Sequence, residues 1–240
     1  MSKSNNTGPG AIRSDGSVEL HTEQGVYLFN GRDKTKDKPA IYGVPRFAGT
    51  VAQVYFDSMA DDPWADWILL KVDIAIDNAR ERLEEIRKEV KKAYPQNRSI
   101  RLENQHSVKP VKKPLDFKVP SYPHRMAYLV VDTDYLILEI LSLFHNGCMT
   151  RQQKERLVHL AGKAARYALQ SATGFRHLGV TRNDVKANNP KARKAKELMG
   201  EVPEDILNLK VRSDYAPELR QYEESPQESE AAKPAKAAGG

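Results

Sequence analysis

The residues best suited to chemistry are few. Asp132, Thr133 and Asp134 follow an apolar run, and two carboxylates at that point could hold Mg²⁺ for phosphoryl or glycosyl transfer. The same residue types at the start of a helix cap it and complement its dipole, which is their commoner use. Asp61, Asp62 and Asp66 raise the same question and receive the same answer. His21, His106, His124, His145, His159 and His177 fall in different segments, without the H-x-x-x-H spacing of a helical metal site. Cys148 is the only cysteine, so it can form neither an internal disulfide nor a thiolate zinc site by itself. As a nucleophile it would need an activating histidine, and His145 is the nearest in sequence. There is no Gly-rich phosphate loop and no G-x-S-x-G elbow. These residues point away from an enzyme, and they require no cofactor and no metal.

The charge distribution points elsewhere. The net charge is +6, and positive charge is concentrated in residues 97–125 and 175–200, each with seven Lys or Arg against two acids. Such concentration is the footprint of a polyanion partner, since each neutralised phosphate releases condensed counterions; a solvated surface is the alternative. The first segment carries Arg98, Arg101, Lys109, Lys112, Lys113, Lys118 and Arg125 on what reads as extended chain. A two-stranded ribbon fits the major groove, with Arg101, Asn104, Gln105 and His106 suited to base edges and the flanking cations to phosphates. In the second segment Arg176, Arg182, Lys186, Lys191, Arg193, Lys194 and Lys196 read as phosphate-positioning residues. Trp64 and Trp67 suit a core or a dimer interface better than a base-stacking platform.

Both basic segments lie among elements of mixed type. Residues 17–29, SVELHTEQGVYLF, alternate as a strand, or as a hairpin turning near Gln24-Gly25. Phe47, Val51, Val54, Tyr55 and Met59 recur at helical spacing. Asp62-Pro63 opens a second helix, whose stripe of Trp64, Ile68, Val72, Ile76, Ala79, Leu83, Ile86 and Val90 runs to Tyr94-Pro95. Over 98–120 the helical period is lost, and Pro110, Pro114 and Pro120 confine this stretch to edge-type strands. Arg125 to Val131 predicts another strand, after which Asp132 or Thr133 caps a helix stopped by Asn146-Gly147. Thr150 and Gln153 have capping-box spacing for a helix reaching Ala168. Asn189-Pro190 caps a short basic helix closed by Gly200, and Pro203 to Leu209 adds a turn. Strand–helix–helix thus occurs twice, although the two halves share little residue-level similarity.

The 240 residues, 40% of them hydrophobic, suffice for a real core. A single DNA-binding regulatory domain is expected over 11–210, with a disordered tail at 1–10 and a flexible one at 211–240, where apolar residues are scarce. No stretch approaches the roughly 20 apolar residues of a membrane span, and no secretory signal opens the chain. Together with the lone cysteine, this suits a reducing cytoplasm, and a DNA partner would add association with the nucleoid.

Three strings carry a resemblance. GVPRFAGTVAQVYFDSMADDPWADWILLKVDIAI, HRMAYLVVDTDYLILEILSL and ELMGEVPEDIL, in that order within residues 10–209, resemble the AcaB family of conjugative plasmids and integrating conjugative elements. The D-D-P-x-A-D-W and A-Y-L-x-x-D-x-D segments are the most specific parts. The resemblance implies a transcriptional activator of conjugative-transfer genes, dimeric, with a ribbon–helix–helix type of topology. A lone strand cannot cover its own edge, so a second copy would complete the ribbon. The ribbon strand is 17–29, 98–118 or 125–131, and charge favours 98–118. The fold expected is therefore α+β and mainly helical, ribbon–helix–helix-like with extra strands and helices. Its partners would be duplex DNA, a second copy of the chain, and RNA polymerase or another element-encoded regulator. A non-specific DNA- or protein-binding accessory of the conjugation machinery is the alternative.

Overall fold

The stripe between Asp62 and Tyr94 forms the longest helix, Pro63–Lys92. Pro63 occupies its first turn, and one Asp62 carboxylate oxygen accepts from the backbone N–H groups of Trp64 (2.8 Å) and Ala65 (3.2 Å). The computed structural model describes residues 16–37, 39–95 and 107–220. Within them the order is β1 (Ser17–Leu20), α1 (Glu23–Asn30), α2 (Val44–Met59), α3 (Pro63–Lys92), β2 (Val111–Pro114), α4 (Tyr122–His145), α5 (Arg151–Leu169), α6 (Arg182–Lys186), α7 (Pro190–Met199) and α8 (Glu204–Leu207). The fold is α+β and mainly helical, as expected.

Helices α3, α4 and α5 pack on one another, with α2 across α3 and α4. Their facing side chains, Leu69, Val72, Ile76, Met126, Leu129, Ile137, Ile140 and Ala165 among them, form the main core. A smaller cluster of Trp64, Val180, Ala192, Ala195, Val202 and Ile206 holds α6, α7 and α8 against the start of α3. The capping box at Thr150 and Gln153 opens α5, and Asn189 caps α7, whose last residue is followed by Gly200.

Three expectations fail for identifiable reasons. Residues 17–29 are not one strand or hairpin, because Thr22 ends the strand and caps α1 by accepting from the Gly25 N–H at 2.9 Å. Residues 125–131 are the second and third turns of α4 rather than a strand. This helix is buried on most of its circumference, so its apolar residues run continuously and mask the 3.6-residue period. Asp132 and Thr133 therefore cap nothing: Asp132 is exposed in mid-helix and Thr133 donates its hydroxyl to the Leu129 carbonyl at 2.7 Å. Finally, of the 98–120 stretch only Val111–Pro114 is a strand among the described residues, and residues 96–106 lie outside them.

The ribbon that does form is internal. β1 and β2 pair antiparallel, with Glu19 opposite Lys112 and Leu20 opposite Val111. Asp134, fully buried on α4, locks this ribbon to the helices: its carboxylate accepts from His21 N–H (2.6 Å), Thr22 N–H (2.9 Å) and the Thr22 hydroxyl (2.5 Å). Residues 211–220 also depart from expectation. Tyr122 and Ser213 share a 2.5 Å hydroxyl–hydroxyl bond, and the Arg220 N–H reaches the Met59 carbonyl at 2.9 Å, so this stretch lies on the core.

Two outcomes follow from these caps. A Cβ at Gly25 would overlap the Asp134 carboxylate, which its three donors prevent from retreating. Gly25→Ala should therefore cost about 3 kcal/mol, read as a lower urea midpoint. Asp62 is the second case. Burial pushes its carboxyl up to about 7, against the two capping bonds, and its other oxygen is buried without a partner. An acid whose pKa rises on folding stabilises the protein below the unfolded value and loses that contribution as pH climbs through the folded value. Asp62→Asn, which keeps the cap, should thus be more stable than the parent at pH 8 and indistinguishable near pH 3.5, by thermal melting across pH.

Candidate nucleic-acid interface

The structure divides the cations of the two basic segments into buried and exposed groups. Arg125 does not face solvent. Its guanidinium pairs with Asp73 and with Asp77 (3.2 Å) and lies over the Tyr215 ring, 4.0 Å from the centroid. Arg182 is likewise internal, with only 5% of its side chain exposed. It pairs with Asp61 and Asp66, each at 2.6 Å, and donates to the carbonyls of Leu207 (3.1 Å) and Ile206 (2.9 Å). Both arginines read as DNA contacts in the sequence, and both are structural. An arginine engaged by two carboxylates has few donors left for a phosphate.

Asp66 ties this region together. It is 1% exposed and meets two guanidiniums, Arg182 and Arg212, the latter at 3.0 Å, as well as the Ser58 hydroxyl at 2.5 Å. Arg212 also donates to Ser58 Oγ (3.2 Å) and the Pro217 carbonyl (2.8 Å). Nothing in the sequence singled out Arg212, because it lies in a polar stretch with no periodicity. The candidate metal pair is equally dispersed. Asp132 is exposed while Asp134 is buried on its backbone donors, as two residues on a helix point roughly 200° apart.

The ribbon is less basic than its composition promised. Lys112 pairs across the strands with Glu19 at 3.1 Å, so one charge cancels another on the outward face. Lys109 and Lys118 are exposed, and Lys113 is half-buried. Lys113 and Lys118 rim a groove of about 590 Å³ whose floor includes Phe29, Ala52, Phe56 and Phe117. Arg98, Arg101, Asn104 and Gln105, along with His106, lie outside the described residues.

Helix α7 presents the stronger cationic face. Ala192 and Ala195 point into the small core, which turns Lys191, Arg193 and Lys194 outward. Arg193 and Lys194 form no ion pair among the described residues, and Lys196 reaches Glu201 at 2.5 Å. The Thr181 backbone N–H, with the Thr181 and Asn189 side chains and the charge of Lys191, holds the Asp184 carboxyl below the usual carboxylate range. Asp184 stays ionised beside the helix start, and its side-chain bond to Asn189 (2.5 Å) steadies the α7 cap. Arg176 is exposed before α6, and its backbone N–H contacts the Met199 sulfur at 3.2 Å.

Comparison with known proteins places this arrangement. The family model described as transcriptional regulator AcaB matches residues 8–220. The chain belongs to the AcaB family. A crystal structure of selenomethionine-containing AcaB from uropathogenic E. coli shares its fold, with a TM-score of 0.56 at 12% identity over 81% of this chain and 95% of that one. No curated protein matches the sequence. The family match accords with the three strings noted in the sequence and spans both cationic surfaces. No described helix is long and apolar enough to cross a membrane.

The division of the arginines makes a sharp expectation. Arg182→Ala takes one of two guanidiniums from the buried Asp66 carboxylate and the partner from the half-buried Asp61, and should cost about 3 kcal/mol, the lower end of the usual penalty for breaking a buried pair. Lys191→Ala, Arg193→Ala and Lys194→Ala should leave thermal melting within about 0.5 kcal/mol of the parent, as exposed substitutions do. A melting series on the four variants checks both.

Proposed function

We propose that this AcaB-family protein is a DNA-binding transcriptional activator of conjugative-transfer genes on a bacterial mobile element, acting on duplex DNA as a homodimer. The observation that carries this reading is the set of exposed cations Lys191, Arg193 and Lys194 on a helix firmly set in the core, within a chain whose family is one of transcriptional regulators. Three cations spread along one exposed helix can neutralise successive phosphates without disturbing the fold.

Sequence reading is assigned to the segment 98–118, in which Arg101, Asn104 and Gln105 have the donor and acceptor groups for base edges and Lys109, Lys112, Lys113 and Lys118 follow them in sequence. The order β1–α1–α2 is strand–helix–helix, which supports a ribbon–helix–helix derivative in which β2 supplies a strand from within the chain. The remaining ribbon edge is then open to the second copy. RNA polymerase or another element-encoded regulator would be the partner that turns binding into activation. No cofactor enters the reading, and a protein of this role belongs in the cytoplasm with the nucleoid.

The test is binding to the element's own transfer-gene promoters and to shuffled DNA across a range of salt. A promoter preference of about 10³-fold or more establishes a sequence-reading regulator, whereas equal affinities make the protein a non-specific accessory. Replacing Lys191, Arg193 and Lys194 together by Ala should weaken both DNAs alike, by roughly ten- to a hundredfold, and flatten the salt slope by about three units. Unchanged binding in that folded variant would remove α7 from the interface and leave the ribbon.

A further inference from the structure

The α2–α3 turn brings two oppositely charged parts of the chain to one place. The described chain stops at Arg220, whose N–H is bonded to the Met59 carbonyl at the end of α2. Five residues on, Trp64 donates its indole N–H to the Gly200 carbonyl at 2.8 Å, fixing the end of α7. Between them, Asp61 accepts from the Arg182 N–H at 3.1 Å and its carboxylate pairs with the Arg182 guanidinium. Met59 and Trp64 are at most about 19 Å apart at 3.8 Å per residue. The root of the C-terminal segment and the basic helix therefore share one anchorage.

The ten residues after that root carry charge of one sign, ahead of Lys233 and Lys236. Residues 221–230 contain Glu223, Glu224, Glu228 and Glu230 and no Lys or Arg. Ten residues reach about 33–36 Å when extended, against about 15 Å for the length of a ten-residue helix such as α7. Of the acids near α7, Glu201 pairs with Lys196, Asp61 with Arg182, and Asp57 with His177 at 2.8 Å, while Glu197 on α7 itself is exposed and forms no ion pair among the described residues. Arg193 and Lys194 are left without an ionic partner among the described residues.

We propose that residues 221–230 dock on the cationic face of α7, their carboxylates standing where DNA phosphates would stand. The occupant is a segment of the same chain, selected by charge and by a tether short enough to hold it at millimolar effective concentration. Its consequence rests on the reading of α7 as a phosphate-contacting surface: the segment competes with DNA and does so most against weak, non-specific sites. A specific site, bound through the ribbon as well, displaces it.

Zero-length carbodiimide cross-linking of the dilute full-length protein, without DNA, tests the docking directly. Intrachain cross-links from Glu223, Glu224, Glu228 or Glu230 to Lys191, Lys194 or Lys196 are expected, and they should vanish at high salt. Their absence at low salt would overturn the proposal. The full chain carrying Glu→Gln at these four positions supplies the second measurement, against random-sequence duplex. Its affinity should rise about tenfold at low salt. Cross-links with no gain in affinity would keep the docking and overturn the role of α7 in DNA binding; a gain without cross-links would overturn the docking on this helix.

Discussion

Asp66 is buried, and a carboxylate there demands partners. It has two guanidiniums and a hydroxyl, from Arg182, Arg212 and Ser58. These donors come from distant parts of the chain, so satisfying one charge joins α2, α3, α6 and the stretch after α8. Arg182 in turn is held by the carbonyls of Ile206 and Leu207, which fixes α8 against the same point. A buried ion pair is weak evidence for stability, since desolvation offsets much of its attraction, but breaking it is costly. Its use in this protein is geometric. Without it, the basic helix α7 would rest on the core through a small cluster around Trp64 alone.

Asp134 performs the corresponding task at the opposite end of the chain. By accepting from two backbone N–H groups and a hydroxyl at the β1–α1 junction, it sets the ribbon against α4. The contact is close enough that residue 25 must be glycine, because any Cβ would occupy the carboxylate's position. Two carboxylates that suggested metal chemistry on sight are thus the joints of the fold. Each is used up by donors from the protein itself, and no group of three or more possible metal ligands converges among the described residues.

The division of cations carries the functional argument. Arginines with carboxylates to reach, Arg125 and Arg182, are drawn inside, where their rigid forks satisfy two acids at once. Lysines and one arginine on α7 remain outside, placed there by Ala192 and Ala195 on the inner face. A DNA-binding surface needs charges that are held in position yet not neutralised, and on α7 Lys191, Arg193 and Lys194 form no ion pair among the described residues, while Lys196 is answered by Glu201. The ribbon meets them less well, since Glu19 answers Lys112.

Much of this protein was determined by local sequence. The caps at Asp62, Thr150 and Asn189, the breaks at Gly147 and Gly200, and the stripes of α2, α3 and α5 all follow from interactions within a few residues, and they formed as read. The family too was legible in three strings. Tertiary structure decided α4, whose burial on most sides erased the period that would have marked it as a helix, and α1, whose cap depends on a carboxylate more than a hundred residues away. It also decided which charges face solvent. Composition counts seven cations in 175–200 alike, but only packing brings Arg182 to Asp66 and leaves Arg193 and Lys194 in water. Pairing across 116 residues leaves no local trace, because a guanidinium reads the same in sequence whether its partner is a carboxylate or a phosphate.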